Sequence, residues 1–335
     1  MSQLLEVKNM SVDFTTDQGV VHAVRDVSFN VGEREILGIV GESGSGKSQT
    51  MYSVMGLLAR NGHMCEGEIM FNGHDLTRSH YANRQDYRKM MWDLRGKEIA
   101  MIFQDPMTFL NPVLTIGKQL TEPLLNHTKM TKKEAEARAI ELMRQVGIPS
   151  PEKRLKQYPH EFSGGMRQRI IIAIALACEP KLIIADEPTT ALDVTIQAQV
   201  LELIMEMTKK TSSSAIMITH DLGVVARMCD RIAIMYGGKV VEIGTDEEIF
   251  YEPKHPYTMG LLSCVHNPEK DEEELRPIPG SPPDLLAPPA GCPFVDRCEK
   301  AMKICKQQMP EVTQYSETHS CACWLEEARK RGLAE

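Results

Sequence analysis

Residues Gly41 to Ser48 read GESGSGKS, the spacing GxxxxGK[ST]. In that spacing the glycines let successive backbone N–H groups face phosphate oxygens, the lysine reaches the outer phosphates, and the hydroxyl is a Mg²⁺ ligand. Gly41, Glu42, Ser43, Gly44, Ser45, Gly46, Lys47, Ser48 and Gln49 are therefore assigned to a nucleotide phosphate cradle, with Ser48 on the metal. The apolar run Ile36 to Val40 leads in and a helix-compatible segment from Gln49 to Leu58 leads out. That order puts the cradle at a strand end, on the positive N-terminus of a helix.

Other apolar runs end in the same way. Leu182 to Ala185 is followed by Asp186 and Glu187, Ala215 to Thr219 by His220, and the AMIF strand by Gln104. Ligands of open α/β sheets bind at the carboxyl edge, so these residues are expected to converge on the cradle. Asp186 suits Mg²⁺, Glu187 suits orienting or deprotonating the attacking water, and His220 suits phosphate sensing. By the same edge logic Gln104 ligates Mg²⁺ or positions water. In FSGGMRQR, Ser163, Gly164 and Gly165 open a helix and make a second anion-facing turn far along the chain. Two phosphate-facing surfaces for one nucleotide imply a head-to-tail pair of chains, each nucleotide held between one cradle and the other chain's turn.

The elements that must carry these residues read as an α/β fold. Leu4 to Phe29 forms short β-prone runs of an antiparallel layer, Glu68 to Phe71 is a strand, and Tyr81 to Arg95 is helix-compatible. Thr131 to Val146 has helical periodicity, with Thr131 and Glu134 spaced as a capping box. Loops rich in Asp, Pro and Asn set it apart, as expected of a helical subdomain inserted into the core. From Arg276 the chain turns proline-rich and reads as a linker into a small C-terminal module, after a solvated acidic run.

The 335 residues carry a formal charge of -8. That argues against a general polyanion-binding surface, because nonspecific nucleic-acid affinity comes from Lys and Arg. The opening MSQLLEVKNMSV has no secretory pattern, and the longest apolar stretch, Ile170 to Cys178, falls short of the ~20 residues needed to cross a bilayer. A cytosolic chain that meets a membrane through partners is expected.

Five of the nine cysteines crowd into the C-terminal stretch as Cys292-x5-Cys298-x6-Cys305 and Cys321-x-Cys323. Four thiolates there could hold a [4Fe–4S] cluster or a zinc ion, and the thiolates alone do not choose. Cys65, Cys178, Cys229 and Cys264 are scattered and read as small buried hydrophobes.

Taken in order, GESGSGKS, Gln104, FSGGM, LIIADE, the TALD of Thr190 to Asp193, and His220 resemble an ATP-binding cassette ATPase. The resemblance implies a P-loop NTPase (RecA-like) core with an antiparallel β layer, Phe14 stacking on adenine, and Asp193 communicating across a dimer. It also implies that the Gln104 loop faces membrane subunits. Phe162 and Met166 depart from the usual LSGGQ and leave Ser-Gly-Gly intact.

RGKEIAMIFQDPMTFLNP, YPHEFSGGMRQR, HPYTMGLL and the cysteine tail are similar to the oligopeptide/dipeptide importer subfamily. That implies a nucleotide-binding domain over 1–258, with its helical subdomain about 106–162, and a C-terminal extension over 259–335. It implies ATP and Mg²⁺ as cofactors, and a peripheral place on the cytoplasmic membrane face. The expected partners are a second, different ATPase subunit, two transmembrane permeases and an external peptide-binding protein, with no nucleic acid. Some relatives move nickel or other small solutes, and soluble cassette proteins act in DNA repair or translation. CPFVDRC further implies a [4Fe–4S] cluster on Cys292, Cys298, Cys305 and Cys323, with Cys321 in reserve and zinc as the alternative.

Overall fold

The computed structural model describes residues 3–104, 109–189, 194–264 and 277–330. The chain divides into two compact units, one of Met1–His80 with Ile218–Glu335 and one of Tyr81–Met217.

In the first unit, strands Gln3–Thr16 and Gly19–Gly32 form an antiparallel pair, and Gly62–Phe71 adds to the other edge of Gln3–Thr16. The four-stranded layer is completed by the short strand His74–Asp75. Its inward residues, among them Leu5, Met10 and Phe71, are fully buried, as alternating apolar positions on a one-sided antiparallel layer require. The strand Ile36–Val40 is buried at every position and runs parallel to Arg231–Tyr236. Gly38 lets the helix Leu222–Met228 approach this strand, since a Cβ there would lie 2.5 Å from a methyl of Val225.

Antiparallel strands extend that sheet through Lys239–Thr245 and Ser320–Cys321 to Thr313–Gln314, so the cysteine-rich tail supplies two of its strands. The run read as a linker is packed instead. Leu285 O accepts the His22 N–H at 2.9 Å and Pro289 O accepts Arg25 Nη2 at 2.9 Å. Proline carbonyls remain good acceptors, and here an adjacent strand uses them. Cys65 and Cys264 are exposed, against the expectation of burial, while Cys229 is buried.

Glu242 ties the tail down. Its side chain is fully buried; Oε1 accepts from Lys254 N at 2.7 Å and faces His319 Nε2 at 2.8 Å, while Oε2 accepts from His255 N at 2.9 Å. A second carboxylate, Glu248, accepts from Thr245 N and from the Ser316 and Thr318 hydroxyls.

In the second unit, Ile99–Ile102 and Leu182–Asp186 pair in parallel, with Ile102 opposite Ala185. Around them stand the helices Arg84–Leu94, Ile116–His127, Lys132–Gln145, Gly164–Ala175 and Val194–Thr211. The capping box at Thr131 and Glu134 forms as the spacing predicts.

Two stability predictions follow from the carboxylates. Glu242→Ala strands His319, the buried N–H of His255 and the half-buried N–H of Lys254, and is expected to cost about 3–5 kcal/mol of unfolding free energy in denaturant titrations. For Glu248, burial alone would raise the carboxyl, but hydrogen bonds from Ser316, Thr245 and Thr318 and the charge of His319 outweigh it and lower it from 4.5 to about 2. The folded value lies below the unfolded one. Its stabilisation is therefore present above pH 4.5 and is lost as pH falls toward about 2, and Glu248→Gln should flatten that part of the acid limb.

Candidate functional site

The phosphate loop lies in the first unit, between strand Ile36–Val40 and helix Lys47–Val54. Gly44 and Gly46 adopt φ of 78° and 99°, left-handed values that turn the loop onto the helix N-terminus. Gly41 is required for space: a Cβ there would lie 2.1 Å from the Met235 carbonyl oxygen and 2.9 Å from Ser45 Oγ. Lys47 is only 6% exposed, and its Nζ donates to Gly41 O at 2.7 Å and Glu42 O at 2.9 Å. Ser48 and Gln49 follow in the first helical turn, half-buried.

Phe14 is half-buried on strand Gln3–Thr16 opposite Gly62, whose missing side chain makes room for the ring. His220 is exposed just past strand Ser214–Thr219. The next residue, Asp221, caps the following helix by accepting from Gly223 N at 2.8 Å.

The second unit holds the carboxylates. Asp186 is fully buried at the end of its strand. Parallel pairing brings Gln104 to the same edge, where its Nε2 donates to Glu187 Oε2 at 3.0 Å. Glu187 has φ of 43°, a left-handed backbone that costs a non-glycine residue about 1–2 kcal/mol. Sequence reading placed Glu187 and Gln104 at this edge but missed both their contact and the strain. Gln168, buried in helix Gly164–Ala175, donates to Pro188 O at 2.5 Å and braces the residue after Glu187. The buried glutamine of FSGGMRQR was its only signal.

Ser163 caps that helix, accepting from Met166 N at 3.4 Å. Ser163 and Gly164 are exposed, and a Cβ on Gly164 would meet open space, so the turn presents its backbone outward. Phe162 is buried, with the Arg154 guanidinium 5.5 Å over its ring. An aromatic therefore anchors the turn where leucine is usual. Asp193 lies outside the described residues.

In the tail, Cys292, Cys298, Cys305 and Cys323 line one small cavity with His255, Val295 and Leu325. Cys321 lines a different one, with Glu242 and Ile243. Burial pushes the Cys292 thiol up to about 12 and Cys323 to about 11, and the neighbouring thiols add to both shifts. His255 is wholly buried; its Nδ1 accepts the Tyr257 N–H at 3.0 Å, so the ring proton sits on Nε2, 4.0 Å from Cys292 Sγ. Among the described residues no group of three or more His, Cys, Asp or Glu is placed to hold a metal ion. None of their helices is long and apolar enough to cross a membrane.

The chain is similar to known proteins over nearly its whole length. A family model described as ABC transporter matches residues 24–190, and one described as oligopeptide/dipeptide transporter, C-terminal region, matches 241–305. The dipeptide transport ATP-binding protein DppD of Bacillus subtilis is 54% identical over 330 residues, 98% of this chain and 96% of the relative. The chain belongs to the ABC transporter family. The oligopeptide transport ATP-binding protein OppD of Escherichia coli is 50% identical, across 92% of this chain and 89% of that one. Among solved structures, cbiO1 of Clostridium perfringens superposes with a TM-score of 0.62 at 27% identity, over 75% of this chain and 92% of its own. A dimeric ATP-binding cassette in a post-hydrolysis state with ADP and Pi superposes equally well, at 26% identity over 72% of this chain and 98% of its own. The ABC ATPase fold and an ATP-hydrolysing transporter subunit are thereby established, with ATP and Mg²⁺ as the expected cofactors.

Because Gly41 has no room for a methyl group against a backbone oxygen, Gly41→Ala should displace the phosphate loop. The expected cost is about 1–3 kcal/mol in denaturant unfolding, together with weaker ATP binding by calorimetry.

Proposed function

We propose that the chain is the ATPase of an importer that takes up oligopeptides or dipeptides, working beneath membrane permeases on the cytoplasmic face. The observation that carries this reading is the near-full-length identity of 54% and 50% to peptide transport ATP-binding proteins, with the matching C-terminal region. The external binding protein and a second, different ATPase subunit complete the assembly in this reading.

Phe14 stacks on adenine, the loop amides and Lys47 hold the phosphates, and Ser48 and Asp186 hold Mg²⁺. Bound Mg²⁺ supplies charge neutralisation at the β- and γ-phosphates. Glu187 orients and deprotonates the attacking water, and its bond from Gln104 supports that role by fixing the carboxylate at the strand edge. His220 senses the γ-phosphate. The partner's Ser-Gly-Gly turn closes the site, as the turn of Ser163, Gly164 and Gly165 in this chain, its first two residues exposed, would for the partner, with Asp193 communicating across the pair. The assignment of 1–258 to nucleotide binding and 259–335 to the extension belongs to the same reading.

For the tail we favour a [4Fe–4S] cluster on Cys292, Cys298, Cys305 and Cys323. Support comes from the four thiols lining one cavity. The four cysteines would hold such a cluster through their thiolates, and the Nε2–H of His255 would donate to the Cys292 sulfur. Cys321, in a separate cavity, is the weaker choice.

Glu187→Gln is expected to leave ATP binding intact and cut turnover by at least about 100-fold. Lys47→Ala should weaken both, and wild-type turnover by the glutamine variant would refute the role of Glu187. Crosslinking and co-purification from membranes should recover permeases, and peptides presented with the binding protein should stimulate hydrolysis. Recovery with ribosomes or DNA would overturn the importer reading. Anaerobically purified chain should contain iron and labile sulfide together; stoichiometric zinc without iron would overturn the cluster.

A further inference from the structure

Three polar parts of Glu42, the second residue of the phosphate loop, are engaged. Its N–H donates to Tyr257 Oη at 3.0 Å, its carbonyl accepts from Lys47 Nζ at 2.9 Å, and its carboxylate pairs with Arg297 Nη1 at 2.7 Å. Tyr257 belongs to HPYTMGLL and Arg297 to CPFVDRC, two segments that sequence reading quoted without giving either residue a role.

Arg297 is not an ordinary surface cation. Its side chain is 7% exposed against 27% for Glu42. The same Nη1 donates to Tyr236 Oη at 3.0 Å, Nη2 to Ile278 O at 3.0 Å, and Nε to Pro279 O at 2.8 Å. The guanidinium is thus locked before it meets Glu42, so little side-chain entropy is lost in forming the pair. Tyr236 follows Met235, whose carbonyl lies against Gly41, and the rings of Tyr236, Tyr257 and Phe294 pack within 4.5 to 5.2 Å of one another. Arg297 therefore grips the loop at Glu42 and also the strand end that supports the loop.

We propose that Arg297 is a positioning residue of the nucleotide site, holding Glu42 so that the loop keeps Lys47 aimed at incoming phosphate. The idea rests on reading GESGSGKS as the ATP cradle. Without the pair, Glu42 keeps its backbone bonds to Tyr257, Ser45 and Lys47 but loses its side-chain anchor, and binding ATP must first settle this end of the loop. The cost falls on affinity. The carboxylates of hydrolysis, Asp186 and Glu187, belong to the other unit, so the step they perform should be less affected.

The test is calorimetric titration of the full chain with Mg-ATP for wild type, Arg297→Met, Glu42→Gln and the double variant, each with a thermal midpoint. Each single variant should raise Kd about tenfold, the low end for a charge-assisted hydrogen bond with one exposed partner, and the double should be no weaker than the weaker single. A merely structural arginine would lower the midpoint without this coupled change in Kd. Additive effects, or Kd within about twofold of wild type for both singles, would overturn the proposal. If Arg297→Met does not fold, Glu42→Gln decides alone by the same thresholds. A wild-type chain that fails to bind Mg-ATP would instead overturn the nucleotide reading itself.

Discussion

An ammonium group almost out of water dictates the shape of the phosphate loop. Removing a charge from solvent costs several kcal/mol unless oxygens replace its hydration, and Lys47 has the carbonyls of Gly41 and Glu42 for that purpose. Those carbonyls can turn inward because Gly44 and Gly46 take left-handed φ and because Gly41 has no side chain to strike Met235. The arrangement is stable but exchangeable, since phosphate oxygens are better partners for an ammonium than neutral carbonyls. Preorganisation here means that the lysine already sits where an anion would have to arrive.

The carboxylate side uses a different device. Glu187 carries backbone strain, and strain of that kind persists only where the surroundings enforce it. Asp186 immobilised at a strand end, Gln104 on the side chain, and Gln168 bracing Pro188 supply that enforcement. Strand pairing explains why the bracing is available. Two parallel strands paired residue for residue end at one edge, so an amide two residues past one strand's last pair meets a carboxylate two residues past the other's.

These two halves were legible to different degrees. The phosphate loop could be read residue by residue, because glycine spacing encodes backbone conformation directly and the fully apolar ILGIV run marks a buried strand. Gln104, Asp186 and Glu187 could be read as edge residues from the ends of apolar runs, but the Gln104 to Glu187 bond could not, because pairing order is a long-range property. The linker reading failed for a related reason. Proline-rich composition reports lost N–H donors and says nothing of carbonyls, and it is the carbonyls of Ile278, Pro279, Leu285 and Pro289 that bind. Arg297 escaped notice because its role depends on Glu42, far away in the chain.

The tail is consequently part of the unit that holds the phosphate loop. Its strands join the sheet beside Lys239–Thr245, and Glu242 bonds to His319 on one side and to the N–H of His255 on the other. His255 then reaches Cys292, while Tyr257, two residues on, reaches Glu42. A buried carboxylate, an uncharged histidine and a phenol thus form a short series from the thiol cavity to the loop.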